Sequence, residues 1–202
     1  MYVPRMFKPK SIDVVASYID EHAFATLVSH KYSLVASHIP LLLMNDGDRQ
    51  YLSGHLSLAN GQVDCFDDQQ ELMAIFMHSH SYISSSWYDH VNVPTWNYIA
   101  VHIYGRARKI QGQELYKSME QMVHKYESGR EGRFNLEDFS KKELHAHLRG
   151  LVGFEMTIDR IEAAYKLSQN RKDHDYNNII EQLESSESQL DHAIAQEMRK
   201  LR

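Results

Sequence analysis

The chain has 202 residues, 43% of them hydrophobic and 24% charged, so it is long enough for one substantial core and wholesale disorder is excluded. The net charge of −5 disfavours strong nucleic-acid binding, which draws its affinity mainly from neutralised phosphates, and the only short basic clusters lie at 106–109 and 141–142. The single cysteine, Cys65, excludes an intrachain disulfide and fits a reducing compartment, and no apolar run approaches the roughly 20 residues of a membrane helix, so we expect a cytoplasmic protein.

The first third of the chain is predicted to be one helix followed by short strands. Ser11 can cap a helix that runs to about Glu21, because apolar residues follow it at the spacing of one helix face. Strands are predicted at 23–29, 34–44, 50–58 and 71–78, with a hairpin turn at 45–48 and a turn or single helical turn at 59–68. Pro40 cannot donate to a ladder, so it must lie at an edge or a bulge, and Gly54 indicates close approach to the backbone.

The remainder mixes strands and helices. A strand is predicted at 97–110, bending or pairing at Gly105, and another at 151–158 that continues irregularly through 161–167. Helices are predicted at 113–126, from Ser140 to about Arg149, and from Asp173 to the end of the chain. Consecutive strands with short turns favour a mainly β, antiparallel sheet or barrel with peripheral helices, organised as a domain at 1–172 and a helical extension at 173–202.

The segment from His78 to Tyr98 has the most unusual composition. It holds both tryptophans, Trp87 and Trp96, together with several tyrosines, histidines and serines and little aliphatic content. Rings that can stack, set among hydrogen-bond donors, suit a flat, phosphorylated ligand. The alternative is a polar surface loop with two half-buried tryptophans.

No metal or nucleophile signature is present in the sequence. His78 and His80 could share a strand face, but His145 and His147 would point apart on a helix, and no third ligand has diagnostic spacing, so we predict no metal site. Cys65 and the serines at 84–86 lack a nucleophile motif, and neither a Walker A nor a Rossmann glycine pattern occurs. Scattered hydroxyls, histidines and amides at 37–38, 53–60 and 166–171 could build a phosphate pocket, although capping or turn bonding is the alternative for each.

Several short strings carry a resemblance to a known family. Val-Pro-Thr-Trp-Asn-Tyr occurs at 93–98 and Lys-Leu-Ser-Gln-Asn-Arg at 166–171, and the two are specific together. Others are Met-Tyr-Val-Pro at 1–4, Phe-Ala-Thr-Leu-Val at 24–28, Ser-His-Ile-Pro-Leu-Leu at 37–42, Gly-His-Leu at 54–56, Tyr-Ile-Ser at 82–84, Val-His-Ile-Tyr-Gly at 101–105 and Val-Gly-Phe-Glu at 152–155. In this order, over nearly the whole chain, they resemble the PaiB family, FMN-binding proteins commonly labelled negative transcriptional regulators.

The resemblance implies a split β-barrel of the flavin-reductase type, a homodimer, and FMN at the subunit interface, with haem as the alternative ligand. It also implies that the backbone meets the ligand near Pro40 and Gly54, while Gly61-Gln62 departs from relatives that often have a proline and an aromatic residue there. The cofactor-binding residues implied, from the expected phosphate end through the ring to the loop that closes the site, are Ser37, His38, His55, Ser57, Asn60, Tyr82, Ser84, Trp87, Thr95, Trp96, Asn97, Lys166, Ser168, Gln169, Asn170 and Arg171.

Two functional classes follow from these features. One is an FMN-binding regulator that acts through a partner protein, since the acidic balance argues against strong direct DNA binding. The other is a flavin-dependent oxidoreductase that uses NAD(P)H, because flavin chemistry belongs to the cofactor and the protein needs only to bind and orient it. The sequence identifies no catalytic acid or base.

Overall fold

The computed structural model describes residues 1–67 and 70–202, so Asp68, the last residue of the predicted turn at 59–68, lies outside the described residues. The described chain divides into two compact units. The first unit comprises Met1–Tyr18, Phe76–His102 and Glu162–Arg202, and the second comprises Ile19–Ile75 and Ile103–Ile161. Neither unit is continuous in sequence.

Antiparallel strands and short helices make up the regular structure, in the order α1 (Ile12–Glu21), β1 (Phe24–His30), β2 (Leu34–Pro40), β3 (Leu42–Asn45), β4 (Gln50–Ser57), β5 (Leu72–Phe76), β6 (His80–Ile83), β7 (Thr95–Gly105), β8 (Ala107–Ile110), α2 (Gly112–Glu127), α3 (Lys141–Leu148), β9 (Leu151–Thr157), β10 (Arg160–Lys166), α4 (Asp173–Glu184) and α5 (Gln189–Leu201). Single 3₁₀ turns occur at Arg5–Phe7, Gly61–Cys65, Ser85–Trp87 and Leu136–Asp138. The mainly β class with peripheral helices is therefore confirmed.

The first unit is built on β7. β6 pairs with it antiparallel, placing Tyr82 opposite Trp96 and Ile83 opposite Thr95, and β10 also neighbours β7 in the sheet. The helices α4 and α5 bury a shared apolar stripe, whose fully buried members include Ile179, Leu183 and Ile194. Burial of one such aliphatic side chain contributes about 1.5–3 kcal/mol, so these helices form part of the core of this unit.

The second unit contains two groups of strands. β1 pairs with β2 and β5, and a separate sheet has the order β3-β4-β9-β8. Pro40 is the last residue of β2, which ends the strand order of its sheet, so the predicted edge position is confirmed. The hairpin turn at 45–48 is also confirmed: Gly47 has φ +93°, and its N–H donates to Asn45 Oδ1 at 2.9 Å.

Gly105 ends β7 at a point where another backbone lies very close. A Cβ built on Gly105 would lie 1.8 Å from the carbonyl oxygen of Thr157. The next residue, Arg106, donates its N–H to Thr157 Oγ1 at 2.9 Å and accepts the Thr157 N–H at 2.9 Å. The predicted strand at 97–110 is therefore two strands that meet at this bend.

The close approach to Gly54 that the sequence predicts is made by the protein itself. A Cβ on Gly54 would lie 2.6 Å from Leu41 Cδ2 and 3.3 Å from the carbonyl oxygen of Pro40. The backbone contact with a ligand that the resemblance implies near this glycine stays a prediction. The predicted strand at 34–44 also divides at Leu41, because β2 pairs with β1 whereas β3 pairs with β4 in the other sheet. The N–H of Leu41 donates to the carbonyl of Ala23 at 2.8 Å, one residue beyond the last β1–β2 pair.

Three further elements differ from the sequence prediction. The segment at 161–167 is a regular strand, β10, and the aromatic segment contains a strand, β6, that its composition did not indicate. The C-terminal helix is two helices, because Ser185-Ser186-Glu187-Ser188 interrupts it, and serine competes with the helix through local side-chain hydrogen bonds such as Ser185 Oγ to the carbonyl of Glu181 at 2.8 Å. Among the described residues, no helix has the length and apolar character that spanning a bilayer would require.

Candidate functional site

A small cavity in the first unit joins residues from the ends of two strands. Its volume is about 50 Å³, and its lining consists of Phe7, Thr95, Asn97, Lys166, Ser168, Asn170 and Arg171. Thr95 begins β7 and Lys166 ends β10, so two neighbouring strands bring together residues that are 71 positions apart. All of the lining residues except Phe7 are among those that the sequence analysis expected in the site.

The cavity is cationic. The ammonium group of Lys166 donates to Thr95 Oγ1, and none of the seven lining residues is acidic. Burial lowers the pKa of Lys166, and the neighbouring charge of Arg171 lowers this pKa further. Because both effects disfavour the charged ammonium, an anion placed in the cavity would relieve them.

The loop that follows Lys166 is held by its own side chains. Ser168 adopts φ +57° and its hydroxyl donates to Asn97 Oδ1 at 3.0 Å, while Asn97 is completely buried. Gln169 accepts the Leu167 N–H at 2.8 Å and donates to the Tyr165 carbonyl at 2.6 Å. The amides of Asn97 and Gln169 therefore shape the loop, whereas Lys166 and Arg171 carry its charge.

Arg171 also fixes the segment after the 3₁₀ turn Ser85–Trp87. Its guanidinium lies 4.7 Å from the centroid of the Tyr88 ring, and the Tyr88 hydroxyl is buried with no hydrogen-bond partner among the described residues. Trp87 is half-buried, and its carbonyl accepts a hydrogen bond from Asn178 Nδ2 at 2.6 Å. Ser84 caps the turn by accepting the Ser86 N–H at 3.2 Å, which is a structural role.

An exposed aromatic pair lies on the paired strands β6 and β7. The rings of Tyr82 and Trp96 are 5.8 Å apart, and His80 lies 5.9 Å from Trp96. About half of each of Tyr82 and Trp96 is exposed, at 48% and 51%. This pair offers ring faces that a planar molecule or another protein surface can cover.

The remaining candidates belong to the second unit and take part mostly in local bonds. Asn60 donates from Nδ2 to Ser37 Oγ at 2.9 Å and accepts the Gln62 N–H at 2.9 Å, which caps the 3₁₀ turn Gly61–Cys65. His38 Nδ1 is hydrogen-bonded to Thr26 Oγ1 at 2.9 Å. Ser57 accepts the Ala59 N–H at 3.3 Å.

His55 differs from its neighbours because Nδ1 is buried and has no hydrogen-bond partner among the described residues. Burial lowers the pKa of His55, so its imidazole is neutral at pH 7. The second unit thus brings Ser37 and Asn60 into contact, and of its candidates His55 has an uncommitted ring nitrogen. A larger groove of about 590 Å³ in the same unit, beside α2 and β3, contains none of the candidates.

Two buried polar residues were missed by the sequence analysis. The side chain of Gln62 donates from Nε2 to the carbonyls of Leu27 and Val35 and to the hydroxyl of Ser29, at 3.0–3.2 Å. Asp175 is 1% exposed although it lies in the first turn of α4. No sequence pattern reports such burial, because both positions read as ordinary surface residues of a turn and a helix start.

Comparison with known proteins agrees with the resemblance seen in the sequence. The family model described as "Putative FMN-binding domain" matches residues 1–160. The Bacillus subtilis protein named protease synthase and sporulation protein PAI 2 is 40% identical over 189 residues, covering 93% of this chain and 91% of that protein.

Solved structures of much lower identity share the fold. The FAD and heme binding protein from Mycobacterium smegmatis has a TM-score of 0.60 at 14% identity, with 78% of this chain and 72% of that chain covered. The flavocytochrome Anf3 from Azotobacter vinelandii has a TM-score of 0.61 at 16% identity, with 87% and 78% covered. These likenesses show the fold alone, an antiparallel split β-barrel, whereas the family match and the 40% identity show that the chain belongs to the PaiB family.

Proposed function

We propose that this protein binds FMN and acts as a regulatory protein that does not by itself bind DNA strongly. The observation that carries the proposal is the small cavity of the first unit. Lys166 and Arg171 both line it, their positive charges repel each other, and none of its lining residues is acidic. Guanidinium and ammonium groups are the side chains that bind phosphate most strongly, through charge-assisted hydrogen bonds. The buried Tyr88 hydroxyl, which has no hydrogen-bond partner among the described residues, is a further polar atom of the first unit that a bound molecule could satisfy.

The size of the cavity decides which part of FMN it would take. A volume of about 50 Å³ suits one phosphate group, whereas pockets for whole drug-sized molecules occupy about 300–1,000 Å³. The ring system would then need another surface on the face of β7 that carries Thr95 and Asn97. The exposed Tyr82 and Trp96 lie on the other face, because successive side chains of a strand point to opposite sides. This arrangement differs from the expected one, in which His38, His55, Ser57 and Asn60 hold the phosphate end. Of these four side chains, His38, Ser57 and Asn60 are already hydrogen-bonded locally.

Comparison of FMN with riboflavin tests the proposal, because the two share the ring system and differ by the phosphate. The purified full-length chain should quench FMN fluorescence on binding and should bind riboflavin at least about tenfold more weakly, the value of one lost charge-assisted contact. Equal affinity for both would contradict the phosphate assignment. Absorbance after addition of haemin tests the alternative cofactor. A Soret band that saturates at one haem per chain would show that the protein binds haem, and haem would then take the place of FMN in the proposal.

We also propose that the protein forms a homodimer with the ligand at the interface between subunits. Support comes from exposed apolar side chains on the paired strands β1 and β2, where Phe24 is 66% and Leu34 75% exposed. The two side chains lie near opposite ends of this strand pair, and exposed apolar side chains on one sheet edge can form part of an interaction surface. Light scattering should give about twice the mass of 23.6 kDa, and a stable monomer at micromolar concentration would contradict the proposal.

The basic cluster at 106–109 is the feature of the sequence that comes nearest to a DNA-binding patch, and its charges are paired. Arg106 is 2.6 Å from Asp159, Arg108 is 2.8 Å from both Glu114 and Glu155, and Lys109 is 3.7 Å from Asp67. Paired cations release fewer counterions on DNA, so direct binding at about 0.15 M salt should be weak. Regulation would then depend on a partner protein in the cytoplasm, the reducing compartment that a lone buried cysteine fits.

The alternative to a regulatory role is that the protein is a flavin-dependent oxidoreductase. Anaerobic addition of NADH or NADPH to the FMN-loaded protein should leave the flavin oxidised on the timescale of minutes if the protein is a regulator. Rapid bleaching, followed by reoxidation by an acceptor at a rate proportional to protein, would place it among the flavin-dependent oxidoreductases. Nanomolar, sequence-specific DNA binding would contradict the partner-dependent model.

A further inference from the structure

Four metal-ligating side chains lie together in the first unit, outside the cationic cavity. Asp89 and His90 follow the 3₁₀ turn Ser85–Trp87, and His174 and Asp175 lie in the first turn of α4. His174 Nδ1 is 3.9 Å from Asp89 Oδ2 and 3.9 Å from Asp175 Oδ1. One ligand atom from each of Asp89, His174 and Asp175 lies within 4.8 Å of the other two.

The fourth side chain, His90, orients the cluster instead of joining it. Its Nδ1 is 2.6 Å from Asp89 Oδ1, and its Nε2 is 3.1 Å from the amide nitrogen of Asn92. Because that amide can only donate, Nε2 is the acceptor and Nδ1 carries the proton that is donated to Asp89. A carboxylate held by a hydrogen bond from an imidazole is a common arrangement around metal ligands, where it fixes the orientation of the ligating group.

Asp175 supplies an independent indication of a bound cation. This side chain is 2% exposed, yet of its two oxygens only Oδ1 has a hydrogen bond among the described residues, from the Asp89 N–H at 3.0 Å. The other oxygen, Oδ2, has as its nearest charged neighbour His90 Nδ1 at 3.6 Å, beyond hydrogen-bond range and already committed to Asp89. Among the described residues no lysine or arginine pairs with this buried carboxylate, whose neighbours are the Asp89 N–H and the imidazoles of His90 and His174. Burial of such a charge is costly, and a metal ion would offset that cost.

We propose that Asp89, His174 and Asp175 bind a divalent first-row metal ion such as Zn²⁺, with His90 as the positioning residue and water completing the coordination. One imidazole with two carboxylates is a nitrogen and oxygen donor set that suits Zn²⁺ and its neighbours, whereas Ca²⁺ and Mg²⁺ prefer oxygen alone. Bonds of about 2.0–2.2 Å place tetrahedral ligands about 3.3 Å apart, so the present 3.9 Å spacings must close by about half an ångström. The side chain of His174 is 74% exposed and is free to make that movement.

The metal would join two segments that are distant in sequence. Asp89 directly follows Tyr88, on which Arg171 stacks, and α4 also supplies Asn178, which donates to the carbonyl of Trp87. A metal bound here would therefore hold the end of the aromatic segment against the start of α4. The proposal does not depend on FMN binding, since none of its ligands lines the cationic cavity.

The test uses the full-length chain without a polyhistidine tag, stripped with EDTA and titrated separately with Zn²⁺ by calorimetry and with Co²⁺ by visible absorption. We expect one ion per chain, Co²⁺ bands of a low-coordinate site, and a higher melting temperature with Zn²⁺. His174→Ala should weaken Zn²⁺ binding by more than about tenfold and His90→Ala by about tenfold, since loss of a positioning partner commonly costs 10- to 100-fold. His174 is exposed, so its replacement leaves the fold intact.

His145→Ala, which replaces an exposed histidine on α3, is the matched control and should leave the Zn²⁺ affinity unchanged. Failure to bind one Zn²⁺ per chain would overturn the proposal. It would also be overturned if His174→Ala and Asp89→Asn both bound Zn²⁺ as tightly as the unaltered chain. In either case the cluster is an ion-pair network in which Asp175 holds the backbone of Asp89.

Discussion

The guanidinium of Arg171 lies over the ring of Tyr88, 4.7 Å from its centroid. Stacking of this kind uses the flat face of the guanidinium and leaves its N–H groups at the edge available for an anion. The contact therefore places one cation of the cavity before any ligand arrives. Lysine at the same position would keep the charge but lose the stacked, planar geometry.

Replacement of either cation of the cavity should weaken FMN binding selectively. We expect Lys166→Met and Arg171→Met each to raise the FMN dissociation constant by about 10- to 100-fold, because a hydrogen bond to a charged group contributes about 1.5–3 kcal/mol. Arg171→Lys should fall between these variants and the unaltered chain. Fluorescence titration measures the effect, with Lys172→Gln, an exposed neighbour, as the control. If riboflavin binding weakened equally, the cavity would not be the phosphate site.

The buried imidazole of His55 should make the fold less stable in mild acid. Burial lowers the pKa of His55, so as pH falls the unfolded chain takes up a proton at about pH 6.5 before the folded chain does. The stability that depends on the neutral ring is present above that pH and is lost as pH falls toward the lowered pKa. Urea unfolding of the FMN-free protein between pH 7.5 and 5 should show a smaller loss in His55→Gln. An identical slope in His55→Gln would contradict the assignment, and His145→Gln, an exposed histidine, should behave like the unaltered chain.

Substitution of Gly105 should be among the most damaging single changes in the described chain. The added Cβ of Gly105→Ala would lie 1.8 Å from the backbone oxygen of Thr157, which only a backbone shift can relieve. We expect a loss of about 3 kcal/mol in the free energy of unfolding, the upper range for overpacking. Gly61→Ala is the matched control, since nothing lies within 4 Å of its Cβ, and it should change stability by no more than about 0.5 kcal/mol. Denaturant unfolding of both variants measures the difference.

The amide of Gln62, which is completely buried, should be required for stability. Gln62→Met keeps the volume but removes the donor to the carbonyls of Leu27 and Val35, and we expect a cost of about 2 kcal/mol from the unsatisfied buried acceptors. Gln196→Met, on the exposed side of α5, is the control. Thermal unfolding distinguishes the two, and equal melting temperatures would show that water replaces the amide.

Local chemistry explains which elements were predictable. The turn at Gly47 and the helix that Ser140 caps depend on residues within four positions of each other, and Glu143 accepts the Ser140 N–H as the capping pattern requires. β10 was not predicted as a regular strand, because its apolar residues are small or are separated by charged residues. Its strand conformation depends on pairing with the neighbouring strand β7, which is distant in sequence.

The candidate site shows the same division. Lys166 and Thr95 are 71 positions apart, and periodicity contains no information about that contact, so only the family resemblance brought the two strings together. The local hydrogen bonds of Ser57 and Asn60 correspond to the capping alternative that hydroxyl and amide residues always present. The burial of Asp175 could not be predicted, because an aspartate at a helix start reads as a dipole-stabilising surface residue.

The interleaving of the two units has a consequence for synthesis on the ribosome. All residues of the second unit have emerged once residue 161 has emerged, although residues 76–102, which lie between its two segments, belong to the first unit. The first unit needs both the N-terminal residues and the C-terminal helices. Asn97, for example, is buried partly by Met198, whose sulfur lies 3.5 Å from its amide. The N-terminal segment can therefore pack into its unit only after nearly the whole chain has been synthesised. Premature termination near residue 170 would release a polypeptide in which the second unit is folded and the first unit lacks its C-terminal helices.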